Sequence, residues 1–240
     1  MSAVPAARHS IGKSLSRLQG GSDELLDSRS FCPVGSLAQR PKDQVPFIPP
    51  RIVFAGDIAY PGGTAAGLVQ LGIYLDPDGY VNSVRIVRDI PSLTPAAAVA
   101  VRKWTFSPAF LEGKAVKSLI FVNVLFNPGT VPSRAVQATP PSGRWRLEQS
   151  SYIPPQILFA WYAAYPSNAP SGTVVLDISV DKRGTTSGWV PVYVVPSLAQ
   201  SVVTVIKLWK FMPGIFRGGA IETNAVAALV FHTPAFPLAS

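Results

Sequence analysis

The side chains able to do acid–base, nucleophilic or metal chemistry are few and scattered. Histidine occurs only at His9 and His232, far apart in the chain, and the single cysteine is Cys32. That set supplies no clustered metal ligands and no internal disulfide. Between residues 46 and 127 the acids are Asp57, Asp76, Asp78, Asp89 and Glu112. Asp76 and Asp78 belong to Asp-Pro-Asp-Gly, where turn chemistry accounts for them. No serine or acid sits in a nucleophile-elbow context, and His232 has no cysteine as partner. Lys114 and Lys117 read as a solvated strand face. The residues therefore point to a chain without catalytic chemistry, cofactor or metal.

Composition narrows the class further. Of 240 residues, 48% are hydrophobic and 14% charged, enough to bury a sizeable core in one or two domains. Proline at 24 and glycine at 19 favour short strands and many turns over long helices. The formal charge of +8 comes from singles and pairs of Lys and Arg spread along the chain, not from a basic run interleaved with aromatics, so nucleic acid is not an expected partner. No stretch approaches the roughly 18–20 apolar residues of a membrane-spanning helix. Met1–Gly21 carries Arg8, Lys13 and Arg17 without the apolar centre of a secretory signal.

The elements that would position any function are set by an internal repeat. Val101-Arg102-Lys103-Trp104-Thr105-Phe106-Ser107-Pro108-Ala109 is echoed 105 residues later by Lys207-Leu208-Trp209-Lys210-Phe211-Met212-Pro213-Gly214. Each closes an apolar helical run: aromatics turn inward, basic residues stay in water near the helix C-terminus, and proline blocks continuation. The register holds without a gap over about 75 residues. Pro49-Pro50 matches Pro154-Pro155, Tyr60-Pro61 matches Tyr165-Pro166, Gly67 matches Gly172, Asp76 and Gly79 match Asp181 and Gly184, and Phe126 matches Phe231. Two copies are too few for a solenoid and read as tandem domains.

Within one copy, Val69, Leu71, Ile73 and Leu75 alternate with other residues, the pattern of a half-buried strand over Gly67–Asp76. Asp76–Gly79 forms the turn and Tyr80–Val87 the return strand. A helix over Ala96–Trp104 follows, with Thr94 as N-cap and Pro95 at the first helical position. A Gly113 turn leads to a last strand, Val116–Phe126. In the second copy the strands are Gly172–Val180 and Thr185–Val195, the helix Leu198–Trp209 capped by Ser197, and the last strand Ala220–Phe231. Pro191 makes the Thr185–Val195 strand an edge or a bulge. The expected organisation is a loosely packed or disordered 1–45, a unit over 46–127, a Pro/Ser-rich linker over 128–151, a second unit over 152–233 and a tail over 234–240. Trp145 is expected to pack against the second unit.

Taken in order, Tyr60-Pro61, Gly67, the alternating strand, Asp78-Gly79 and Arg102-Lys103-Trp104-Thr105-Phe106-Ser107-Pro108 resemble the TonB C-terminal domain family. Over residues 49–126 the match is specific. Over residues 154–231, around Tyr165, Pro166, Trp209, Phe211 and Pro213, it is degenerate. The resemblance implies an α+β fold: two tandem units, each a small three-stranded antiparallel sheet (strand, strand, helix, strand) with a helix on one face. It also implies a non-catalytic module in the Gram-negative periplasm, which captures an extended peptide of a TonB-dependent outer-membrane receptor as an added strand in energy-coupled transport. The open edges this implies lie on the last strands, at Val116, Ser118, Ile120, Val122, Val124 and Phe126 in the first unit and at Ile221, Thr223, Val226 and Leu229 in the second. An energy transducer of this family carries an N-terminal membrane helix and a long Pro-rich spacer, neither of which the sequence shows, so a start upstream of Met1 is one expectation. The alternative is a structural envelope scaffold or decayed paralogue, in which the two last-strand edges pair with each other within one chain or in a homodimer.

Overall fold

The structure, a computed structural model, describes residues 47–63, 65–140, 145, 151–166 and 169–233. The expectations for 1–45 and for the 234–240 tail lie outside the described residues. The described residues form one compact unit.

The first half runs β1 (Phe47–Ile48), β2 (Arg51–Phe54), β3 (Gly67–Leu75), β4 (Val81–Arg88), α1 (Thr94–Val101), β5 (Thr105–Ser107), β6 (Ala109–Leu111), β7 (Lys114–Val116) and β8 (Ser118–Asn127). A short strand β9 (Ala135–Gln137) lies inside the expected linker. The second half then runs β10 (Tyr152–Ile153), β11 (Gln156–Trp161), β12 (Gly172–Val180), β13 (Thr186–Val194), α2 (Pro196–Ile206), β14 (Lys210–Met212), β15 (Gly214–Phe216), β16 (Gly219–Ile221) and β17 (Thr223–Phe231). The protein is thus mostly sheet with two helices, α+β overall.

Local chemistry explains the correspondence between the halves. In each Asp-x-x-Gly turn one carboxylate oxygen takes two backbone N–H groups: Asp76 Oδ1 from Asp78 and Tyr80 at 3.1 and 2.9 Å, and Asp181 Oδ1 from Arg183 and Thr185 at 2.9 and 2.8 Å. These backbone bonds, that of Thr185 foremost, hold the Asp181 carboxyl below its ordinary pKa. Gly79 and Gly184 take φ of +85° and +78°. A Cβ there would meet the carbonyl oxygen of Phe106 at 2.2 Å or of Phe211 at 1.8 Å. The glycine turn and the Trp-x-Phe-x-Pro stretch are therefore one packed unit, which is why the two motifs recur together.

Both helices begin without a side-chain cap. The N-cap of α1 is Leu93 and that of α2 is Val195, with proline in the first turn of each. Thr94 is not the cap expected of it; its Oγ1 accepts the Ile90 N–H at 2.9 Å. Ser197 lies inside α2. Both helices end before the tryptophan, and Trp104 and Trp209 lead into the short strands β5 and β14.

The main sheet has six strands in the order β13-β12-β17-β8-β3-β4. Each half contributes three antiparallel strands, and β17 and β8 join them in parallel. Val226 stands opposite Val122, one residue short of its repeat equivalent Ala227. A one-residue offset exchanges the faces of a strand. Accordingly Val122, Val124 and Phe126 share a core with Val226, Ala228 and Val230 beneath α1. Ala225, Ala227 and Leu229 share the opposite core with Leu125 beneath α2. The two helices cover opposite faces of one continuous sheet. Trp145 packs edge-on against Phe121, ring centroids 5.8 Å apart, and its ring would touch a Cβ on Gly72 at 3.1 Å. It thus serves the first half, not the second, because Gly72 leaves a flat gap there that an indole fills.

Candidate functional site

The last strands, from which the resemblance draws its peptide site, lie in the middle of the sheet. Ser118, Ile120, Val122, Val124 and Phe126 are on β8, flanked by β3 and β17; Thr223, Val226 and Leu229 are on β17, flanked by β8 and β12. Val116 and Ile221 are separate, on the hairpin strands β7 and β16. The expectation of open edges at Val122, Val124, Phe126, Val226 and Leu229 is corrected by the parallel ladder Val122–Asn127 against Val226–Phe231. Two equivalent unpaired edges in one chain satisfy each other, and their N–H and C=O groups leave water together. Ser118, Ile120 and Thr223 lie before the ladder begins.

Polar side chains inside this apolar seam fix it. Asn123 Nδ2 donates to the Val226 carbonyl at 3.1 Å, and Asn123 Oδ1 accepts from Gln70 Nε2 at 3.0 Å. Asn127 Nδ2 donates to Ala163 O at 2.8 Å, and His232 N to Asn127 O at 3.0 Å. On β12, buried Asp177 accepts from Arg51 Nε at 2.8 Å and from Asn224 Nδ2 at 3.2 Å, so the β2 lead-in of the first half is tied to the second. Burial raises the Asp177 carboxyl above its ordinary pKa, and the Arg51 bond and charge work against that rise. At the other end, Tyr152 Oη and Thr223 Oγ1 lie 2.6 Å apart, and burial drives the Tyr152 phenol well above its ordinary pKa. The equivalent place in the first half holds Phe47 and Ser118, and the buried Ser118 hydroxyl has no partner among the described residues.

The Tyr-Pro motifs brace the same seam. Tyr60 stacks on His232 at 4.8 Å and meets Phe126 edge-on at 5.5 Å. Its hydroxyl bonds Ala65 O, and burial, with a smaller contribution from Tyr162, pushes its pKa up to about 12. The Tyr165 hydroxyl donates to Ala169 O at 2.6 Å, and its ring is tilted against Phe231, centroids 5.8 Å apart. Pro61 and Pro166 follow in the loops. Burial also raises the Tyr162 phenol, opposed by the charges of Arg134 and Arg88.

The outer edges of the sheet are β4 and β13. Both carry register shifts against their neighbours, and Pro191 sits on β13, as its missing N–H requires. Arg85 lies 5.0 Å over the Tyr74 ring, and Lys207, from the end of α2, 5.3 Å over Trp189 of β13. Of the helix-exit residues, Trp104, Phe106, Trp209 and Phe211 are buried, whereas Arg102 and Lys103 are exposed. Pro108 and Pro213 separate β5 from β6 and β14 from β15.

A cleft of about 570 Å³ lies beside α1, lined by Phe54, Gly56, Asp57, Val99, Lys103 and Trp104 among others. Among the described residues there is no group of three His, Cys, Asp or Glu able to hold a metal, and no helix long and apolar enough to cross a membrane. β3 is buried on both faces and not on one as its alternation implies, because the sheet is covered on both sides; Gln70 is therefore buried, as are Asn123 and Asp177, and none of the three is among the expected site residues. Their signal is a hydrogen-bonding side chain in an otherwise apolar strand, which must find a buried partner.

Comparison with known proteins adds one result. The family described as Gram-negative bacterial TonB protein C-terminal matches residues 64–128, the segment from before β3 to the end of β8. The match falls on the half whose motifs resemble that family. No curated protein matches the chain, and no solved structure does.

Proposed function

From the TonB C-terminal match over residues 64–128 as premise, we propose that the chain is a non-catalytic interaction module of the Gram-negative envelope, built from two tandem units of that type locked through their last strands. The parallel pairing of Val122–Asn127 with Val226–Phe231 carries the reading. In a peptide-capturing domain the last-strand edge stays open for the ligand. Here each unit occupies the other's edge, and Asn123 and Asn127 add side-chain bonds along the seam. The module therefore presents its outer surfaces to envelope partners, with the periplasm as its compartment. Capture of a receptor peptide by Val122, Val124 or Val226 requires this seam to open first.

Amide hydrogen exchange on the free full chain tests the reading. The amides of Val122–Asn127 and Val226–Phe231 are expected among the slowest in the protein, close to global unfolding. Rapid exchange there, with protection gained on adding an extended receptor-type peptide, would establish the open-edge transducer reading instead.

A further inference from the structure

The two halves differ beside their helices. In the second half β11 lies between β14 and β9, with Phe159, Ala160 and Trp161 paired to Gln137, Val136 and Ala135. In the first half the equivalent strand β2 pairs only with β5 among the described residues. The counterparts of Phe159–Trp161 are Phe54, Ala55 and Gly56, so an edge that carries a third strand in one half carries none among the described residues in the other.

The tryptophans register the same difference. Trp209 Nε1 donates to the carbonyl of Trp161 at 3.3 Å. Trp104 is 3% exposed, and its Nε1 has no hydrogen-bond partner among the described residues. A buried indole N–H without an acceptor costs free energy that a ligand can recover. Gly56, where the second half has Trp161, leaves the adjoining cleft open, and a Cβ on Gly56 would meet nothing within 4 Å. Phe54 and Val99, on either side, are 58% and 56% exposed, unusual for large apolar side chains.

We propose that the Phe54–Asp57 edge is a strand-addition site for an extended segment of a partner protein, in which a basic residue precedes a large apolar one. The second half is the template. There Tyr162 N donates to Arg134 O at 3.0 Å and Ala138 N to Leu158 O at 2.8 Å, extending the ladder at both ends of β9. The counterpart of Tyr162 is Asp57, an exposed carboxylate on the rim of the cleft, placed to meet the basic residue that Arg134 represents. Side chains directly opposite on paired strands share a face. Small Ala135 stands opposite bulky Trp161; opposite Gly56 the sizes reverse, and a large apolar residue of the partner enters the cleft. Ordering this edge brings the Gly56 carbonyl onto Trp104 Nε1. The proposal rests on the interaction-module reading and names a surface of it distinct from the last strands.

The test uses the full chain and two capped peptides, Ser-Arg-Ala-Val-Gln-Ala and Ser-Arg-Leu-Val-Gln-Ala, followed by the NMR shift of the Trp104 indole N–H. Both peptides move that signal downfield, the leucine peptide binding about tenfold more tightly because its side chain leaves water in the cleft. Gly56→Trp, which fills the cleft, and Val99→Lys, an exposed change, each weaken binding at least tenfold, while Asp57→Asn weakens it about threefold. An unmoved Trp104 signal, or binding by both Gly56→Trp and Val99→Lys as tight as by the parent, overturns the site. Slow exchange at Val226–Phe231 in the same samples would then leave the locked-module reading standing, so the two fail separately.

Discussion

Asn123→Leu tests the logic of the seam most sharply, because leucine keeps the branched four-atom outline of the side chain and removes the amide's hydrogen bonds. Asn123 is fully buried, and so in effect is Gln70 at 2% exposure. The substitution leaves the Gln70 amide donor without its acceptor, a cost of about 1–3 kcal/mol, and takes one donor from the Val226 carbonyl, a further ~0.5–1.5 kcal/mol. The expected loss is about 2–4 kcal/mol in urea unfolding, read as a lower midpoint with an unchanged slope. Gln70→Met on the same background removes the orphaned donor and recovers about 1–3 kcal/mol, so the double variant is more stable than Asn123→Leu alone. Hydrogen exchange should show the loss first at Val226 and Ala227, where the parallel ladder starts. A cost below about 1 kcal/mol, or a double variant no better than the single, would refute the claim that this amide clamps the two halves.

Two further outcomes follow from the geometry. Arg51→Gln removes the main counterweight to burial at Asp177 and raises its carboxyl further. A pKa raised above the unfolded value means that folding favours the protonated form, so stability is lost as pH rises through the folded pKa. The variant is thus about 1–2 kcal/mol less stable than the parent near pH 7, a figure reduced for the exposure of Arg51, and the gap narrows near pH 4. An equal gap at both pH values in urea titrations would remove Asp177 from the explanation. Gly184→Ala costs at least about 2 kcal/mol, because the left-handed backbone adds to a collision with the Phe211 carbonyl. Gly113→Ala, with the same φ of +78° and open space around it, costs only about 1 kcal/mol, and equal midpoints for the two would disprove the packed turn.

What was legible in the sequence was local. Alternation at Val69, Leu71, Ile73 and Leu75 marked β3, Asp76–Gly79 marked the turn, and Trp104-x-Phe106-x-Pro108 marked the helix exit, since each depends on residues a few positions apart. The repeat carried the same signals to the second half. The helix starts shifted because neither Thr94 nor Ser197 caps and proline sets the first turn, and both helices stop at Val101 and Ile206, short of the tryptophans expected to end them.

The sequence by itself determined the long hairpin strands, the Asp-x-x-Gly turns and the presence of the two helices, and the recurrence of that set in two halves, but not the short strands that flank the helices or β9. Only the tertiary structure decided that β8 and β17 pair in parallel with a one-residue offset, that the helices consequently face opposite ways, and that Trp161 meets Trp209 while Gly56 leaves Trp104 without a partner among the described residues. The reason is physical. An edge is recognised by backbone N–H and C=O groups that nearly every residue carries, so which edge meets which is settled by how the folded halves fit together.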